Sequence, residues 1–227
     1  MCGRAEDNKK NHLESSIEMT QEELKELKEL FGNNLIGPEQ VNNLLAAMDL
    51  DSISDEDIPD MNYTKSVLQS NAYDYLLVMG FPGIDVPLDI LHFRESFGID
   101  PDEKEPCLYN QDWYLSESFV RKTLEKRWYL IKKDVFEDSR AVMPAELLDN
   151  SIIFPSAILC TYSFFAYYFS YRRFLWYHDF VWCSDLDHNG DRIYVGKYND
   201  VDGINKNGFS VHRHLALRPC YGSVNCI

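Results

Sequence analysis

Short enzyme signatures are missing from this chain of 227 residues. There is no P-loop, no Gly-x-Gly-x-x-Gly run and no Gly-x-Ser-x-Gly elbow. Cysteines and histidines could meet in a fold, but no spacing demands it. Internal repeats and low-complexity tracts are absent too. Cysteine is present six times (Cys2, Cys107, Cys160, Cys183, Cys220 and Cys226) with no C-x-x-C pair and no regular framework. Cys160 and Cys183 sit in apolar surroundings, where a free thiol behaves as a small hydrophobe. A reducing cytoplasm fits this usage best, although Cys220 and Cys226 could close a small disulfide loop.

Positive charge is also scarce. Lys and Arg number 22 against 37 Asp and Glu, a net charge of −15. That disfavours nucleic-acid binding, which needs clustered Lys and Arg, and it disfavours anionic membranes. Residues 1–60 hold 15 acids and 5 bases, so a net −10 falls there. Such an acidic surface could meet a basic protein partner or mimic a nucleic acid. The plainer reading is a solvated face that maintains solubility. The first residues, MCGRAEDNKKNHLESS, lack the apolar region of a signal peptide. Cys2 followed by Gly3 would suit a lipid-anchored start if an upstream signal had been removed.

What the chain does have is one aromatic stretch. No charged residue occurs from Asn150 to Tyr171, and aromatics crowd Ile152 to Asp187. Large aromatic side chains dominate core energetics, so this stretch predicts a central core helix running into a core strand. The uncharged run is about long enough to span a membrane. It also contains Pro155, four serines and four tyrosines, and the helix expected from Ser156 to Tyr171 is only about 24 Å long at 1.5 Å per residue. A buried helix is therefore expected, with no membrane span.

Around it, residues 1–18 read as a polar tail. Thr20 and Glu23 have capping-box spacing, and Leu24, Leu27, Leu30 and Phe31 form a stripe. Pro38 opens a second helix. Residues 19–60 thus predict an acidic helical hairpin and linker, appended to an α+β domain over 61–227. Within that domain, strands are expected at 73–80 and 127–133. Helices are expected at 87–97, at 117–126 and in MPAELLDN. After Tyr171 the period becomes β-like. FLWYHDFVWCSD, RIYVGKY and FSVHRHLAL form an antiparallel meander with a His-Asn-Gly turn. Helices first and a meander last give an α+β fold.

Three candidate sites follow. Asp185, Asp187, Asn189 and Asp191 match the first half of a calcium loop, with Gly190 permitting the turn. The twelfth position is Gly196 rather than Glu, so a plain turn rich in Asp, Asn and Gly is the competing reading. His212 and His214 point to one face of a strand and could hold a metal with His178 or Asp179. Trp182, Tyr194, Tyr198, Arg213 and Arg218 are the aromatic and arginine anchors usual at a binding surface. Core packing competes for the tryptophan and one tyrosine.

FPSAILCTYSFF, FVWCSD and GFSVHRHLALRPCYG resemble, in that order, the helix start, the Trp-Cys-Ser strand and the closing strand of C-type-lectin-like domains, in the broad sense that includes formylglycine-generating-enzyme-like domains. The resemblance covers about residues 152–224. It implies a scaffold that presents a binding surface on long loops. The helix start lacks the family's Glu-Trp pair. The paired cysteines of the formylglycine-generating enzyme and the Glu-Pro-Asn sugar motif of lectins are absent, so neither activity carries over. Fold alone does not give function. The combined reading is a non-enzymatic recognition protein, α+β and C-type-lectin-like, that binds a protein partner and requires no cofactor. The alternative is a metal-dependent enzyme or calcium-binding module built on Asp185–Asp191 with His212 and His214.

Overall fold

The charge-free stretch forms α6, Ala157–Tyr171, and every residue from Ala157 to Tyr167 is buried. A helix apolar all round belongs inside a core. Its start is fixed locally, where the Ser156 hydroxyl accepts from the Leu159 N–H at 3.2 Å. It stops at Arg172, which takes the left-handed conformation at φ 54°. The computed structural model describes residues 19–197, 208–213 and 217–227. No helix among them is long and apolar enough to cross a membrane.

Two mixed sheets flank α6, and the described residues form six α-helices, so the chain is α+β. In the first sheet, β2 (Tyr75–Met79) runs antiparallel to β3 (Trp128–Lys132) and parallel to the short β1 (Leu35–Ile36). In the second, β4 (Phe180–Leu186), β5 (Arg192–Gly196) and β6 (Ser210–His212) form the antiparallel meander. A fourth strand, β7 (Tyr221–Gly222), adds parallel to β4, so this sheet is mixed rather than a pure meander.

Alternation along the second sheet separates two apolar layers. Val181, Cys183, Ile193, Val195 and Val211 join the main core with α6. Phe180, Trp182, Tyr194 and Tyr221 form a smaller cluster on the other face, under Leu147 and Phe154. Ring contacts tie α6 to its surroundings. Phe165 stacks on Phe97 at 4.6 Å, and Phe164 meets Phe209 at 4.5 Å. Phe97 ends α4, Ile90–Phe97, whose N–H at His92 is capped by Asp89.

The N-terminal helices pack on the rest of the chain, and a short strand interrupts the expected hairpin. The capping box forms as predicted at the start of α1 (Gln21–Phe31): the Thr20 hydroxyl accepts from the Glu23 N–H, and the Glu23 carboxylate accepts from the Thr20 N–H. Between α1 and α2 (Pro38–Ala47), however, the chain enters the first sheet as β1, and α2 packs on α6. Leu27, Phe31, Leu35, Ile36, Val41 and Leu44 share one core with α6. Two residues of strand between Asn34 and Gly37 are too few to show an alternating pattern. The helix expected over 117–126 is also replaced, by a single 3-10 turn at Ser118–Arg121. Glu117 there turns its carboxylate to the loop after β4 instead of continuing a helix.

The other short helices are α3 (Lys65–Asn71) and α5 (Pro144–Asp149). After β7 the chain returns to the first sheet. Lys132 donates to the Asn225 carbonyl at 2.8 Å, Ile227 donates to the Leu130 carbonyl at 2.9 Å, and Cys226 stands opposite Ile131. The hydroxyl of Tyr63 donates to the Ile227 carbonyl. Cys220 and Cys226 are free thiols, not the disulfide loop their spacing allowed.

Candidate functional site

The end of β4 and the turn that follows it carry a charge cluster. Asp185 and Asp187 are two residues apart and both buried. Asp185 uses one oxygen for the Lys122 ammonium at 2.6 Å and the other for the Ala157 N–H at 2.7 Å. It therefore caps the first turn of α6, where a negative charge is favoured. One oxygen of Asp187 accepts from the N–H groups of Asn189 and Asp191, at 2.8 and 2.9 Å. The other meets Arg213 at 2.9 Å. Burial opposes ionisation of Asp187. The Asp191 N–H, the Arg213 guanidinium and the Asn189 N–H outweigh it and hold the carboxyl below its usual value.

Glu117 completes the cluster. It accepts from the His188 N–H at 3.0 Å, faces the His188 Nδ1 at 2.5 Å and lies 3.8 Å from Arg213. Glu117, Asp187 and His188 thus converge, with ligand atoms within 4.8 Å of one another. Asp185 turns instead to Lys122 and α6. Asn189 is exposed at the tip of a turn closed by the Gly190 N–H donating to the Asp187 carbonyl. Gly190 has φ 88°, a backbone conformation that favours glycine.

The expected anchor residues divide. Trp182 is fully buried and Tyr194 nearly so, with their rings 5.1 Å apart in the second cluster. They are core, not surface, because their strand positions face Leu147 and Phe154. Arg213 is held by Asp187 and lies over the Trp113 ring at 4.6 Å. Arg218 is exposed, and no ion pair reaches its guanidinium among the described residues. His212 stacks on Tyr194 at 5.4 Å, and its Nδ1 is 3.1 Å from the Gln111 amide nitrogen. Asp179, offered as a fellow metal ligand, is instead gripped by Arg140 at 2.6 and 3.2 Å. Tyr198 and His214 lie outside the described residues.

Two open concavities lie on different parts of the surface. One, of about 360 Å³, sits on the second sheet and is lined by Tyr109, Phe180, Ser210, His212, Arg218, Cys220 and Tyr221. The other, of about 650 Å³, runs between α1 and residues 61–69. Leu27, Leu30, Met61, Tyr63 and Leu68 give this groove an apolar floor, and Glu23, Glu26 and Glu29 rim it. Leu30 is exposed, and Glu26 reaches Lys65 at 3.2 Å across the groove.

No family model, curated protein or solved structure matches this chain. The geometry therefore carries the functional reading by itself. Sequence reasoning overlooked Glu117 and Lys122, which partner the loop from far along the chain. It also overlooked Met61, Tyr63 and Leu68, which complete the groove. Glu117 between two serines carries no pattern, whereas the exposed stripe position at Leu30 was a readable signal of an uncovered apolar face.

Proposed function

We propose that this protein is a non-enzymatic recognition protein that binds a protein partner through its acidic N-terminal face. The observation that carries the reading is the groove of about 650 Å³ with an apolar floor and a rim of three glutamates. Grooves of this kind accept amphipathic helices, whose apolar residues at i, i+3, i+4 and i+7 fill the floor. Charge complementarity selects the occupant: a partner helix with Lys or Arg flanking its apolar stripe. Two of the thiols are poorly suited to nucleophilic chemistry. Burial pushes the Cys107 and Cys226 thiols up to about 11, far from the lowered values of catalytic cysteines. The C-type-lectin-like scaffold over residues 152–224 and the cytoplasmic setting rest on the sequence resemblance and on cysteine usage.

A 14-residue Leu–Lys amphipathic helix, labelled for fluorescence anisotropy, tests the groove. It should bind more tightly than a scrambled peptide of the same charge, and Leu30→Ala should weaken it about tenfold, the value of a buried anchor. Equal binding of the scrambled peptide would reduce the interaction to net charge. Binding seen only after deletion of residues 1–18 would assign the groove to the chain's own N-terminal segment. A concentration-dependent dimer broken by Leu30→Ala would assign it to a second copy.

The second reading, a metal or calcium site, is supported by the convergence of Glu117, Asp187 and His188. It requires Arg213 to leave the two carboxylates that it now serves.

A further inference from the structure

The small cleft on the second sheet has chemistry opposite to that of the groove. Most of its described neighbours are aromatic or hydroxyl-bearing, and among the described residues none that lines it is acidic. In a chain with 37 acids, Arg94, Arg140 and Arg213 each sit against a carboxylate. Arg218 does not, among the described residues, although its charge is felt nearby. It opposes the upward push that burial gives the Tyr194 hydroxyl and the Cys220 thiol.

The walls of the cleft are held from several directions. Ser210 and Phe180 occupy one cross-strand row through Gly196, and Tyr221 extends that row on β7. His212 is oriented by its stack on Tyr194 and by Gln111. The turn that presents Arg218 is closed by the Tyr221 N–H donating to the Arg218 carbonyl at 2.9 Å. It is braced where Arg140 donates to the Pro219 carbonyl at 3.3 Å. The guanidinium thus stands over a pre-formed, half-polar pocket. Tyr109 and Tyr221 contribute hydroxyl groups that can donate, whereas the Ser210 hydroxyl donates to the Gly208 carbonyl at 3.3 Å.

We infer that this cleft is a binding site for a small oxyanion, a phosphate or carboxylate group paired with the Arg218 guanidinium and flanked by the hydroxyls of Tyr109 and Tyr221. Arginine suits such a ligand because its planar fork can meet two oxygens at once. A volume of about 360 Å³ has room for a compact ligand, at the lower end of small-molecule sites. The site is independent of the N-terminal groove and stands or falls without it.

Thermal melting of the full chain tests the inference, with inorganic phosphate, citrate and acetate as probes and sodium chloride at matched ionic strength as the reference. Phosphate or a carboxylate should raise the melting temperature saturably, by roughly 5–10 °C at a hundredfold excess over Kd. A response to phosphate alone assigns a phosphoryl group, and a response to citrate or acetate alone assigns a carboxylate. Arg218→Ala should abolish the shift, and Arg218→Lys should retain part of it. Arg218 is exposed, so both variants should fold. Broadening of the phosphate ³¹P resonance by wild type but not by Arg218→Ala is the direct readout for that probe. A shift no larger than that of sodium chloride, or one that survives in Arg218→Ala, overturns the inference.

Discussion

Removing the Asp185 carboxylate leaves the Ala157 N–H, buried at the start of α6, without its acceptor. An unsatisfied buried donor costs about 1–3 kcal/mol. The Lys122 side chain is 57% exposed and can return to water, so it adds little to that loss. Asp185→Ala should therefore lower stability by about 1–3 kcal/mol in denaturant titration. The loss should be the same in EDTA and in calcium. A loss seen only in calcium would make Asp185 a ligand and favour the metal reading. Asp187 acts through the opposite half of the same logic. Its folded-state value is lowered, so its contribution is present above the ordinary carboxylate range and is lost as pH falls through the lowered value. The run Asp-x-Asp-x-Asn-Gly was legible as a turn and as a charge cluster. Sequence could not show that the carboxylates serve a helix start, an arginine and backbone N–H groups, because Lys122, Ala157 and Arg213 are distant in the chain.

At the level of elements, α6 carries both sheets. Phe165 touches Phe93, Phe97, Phe164 and Phe209, with ring centroids 4.6 to 6.0 Å apart. Phe165→Ala should cost about 3–5 kcal/mol, measured by equilibrium unfolding, since the cavity opens among rings from three separate segments. A cost below 1 kcal/mol would mean that the helix repacks freely. This helix was the most legible element, because absence of charge and density of aromatics point the same way. The expected strands at 73–80 and 127–133 appear as β2 and β3. Of the long strand expected over 209–217, Ser210–His212 is present as β6, and residues 214–216 lie outside the described residues. Trp182 and Tyr194 could not be placed by alternation, because both faces of their sheet are covered by apolar residues and neither face is the wet one.

For the whole molecule, a net charge of −15 opposes compaction. Raising sodium chloride from 10 to 150 mM shortens the screening length from about 30 to about 8 Å. The melting temperature should rise over that range, while affinity for the basic amphipathic peptide should fall. Both curves are measurable on one preparation. A melting temperature that falls with salt would mean that ion pairs such as Lys28–Glu39 outweigh the general repulsion. Net charge and its concentration in residues 1–60 were readable directly. The groove was not, because its two walls are brought together only when β1 enters the first sheet.

The return of residues 225–227 to β3 has a consequence for how the chain is made. Cys226 lies 95 positions after Ile131, its partner across the sheet. At about 5–20 residues per second on the ribosome, the edge of β3 waits about 5 to 20 s for its cover. Over that interval Trp128 to Lys132 form an open, apolar strand edge, the kind of surface that chaperones bind and that aggregates seed from. Folding of the first sheet is thus tied to the arrival of residues 225–227, and variants that weaken them should lower the yield of native protein more than its stability once folded.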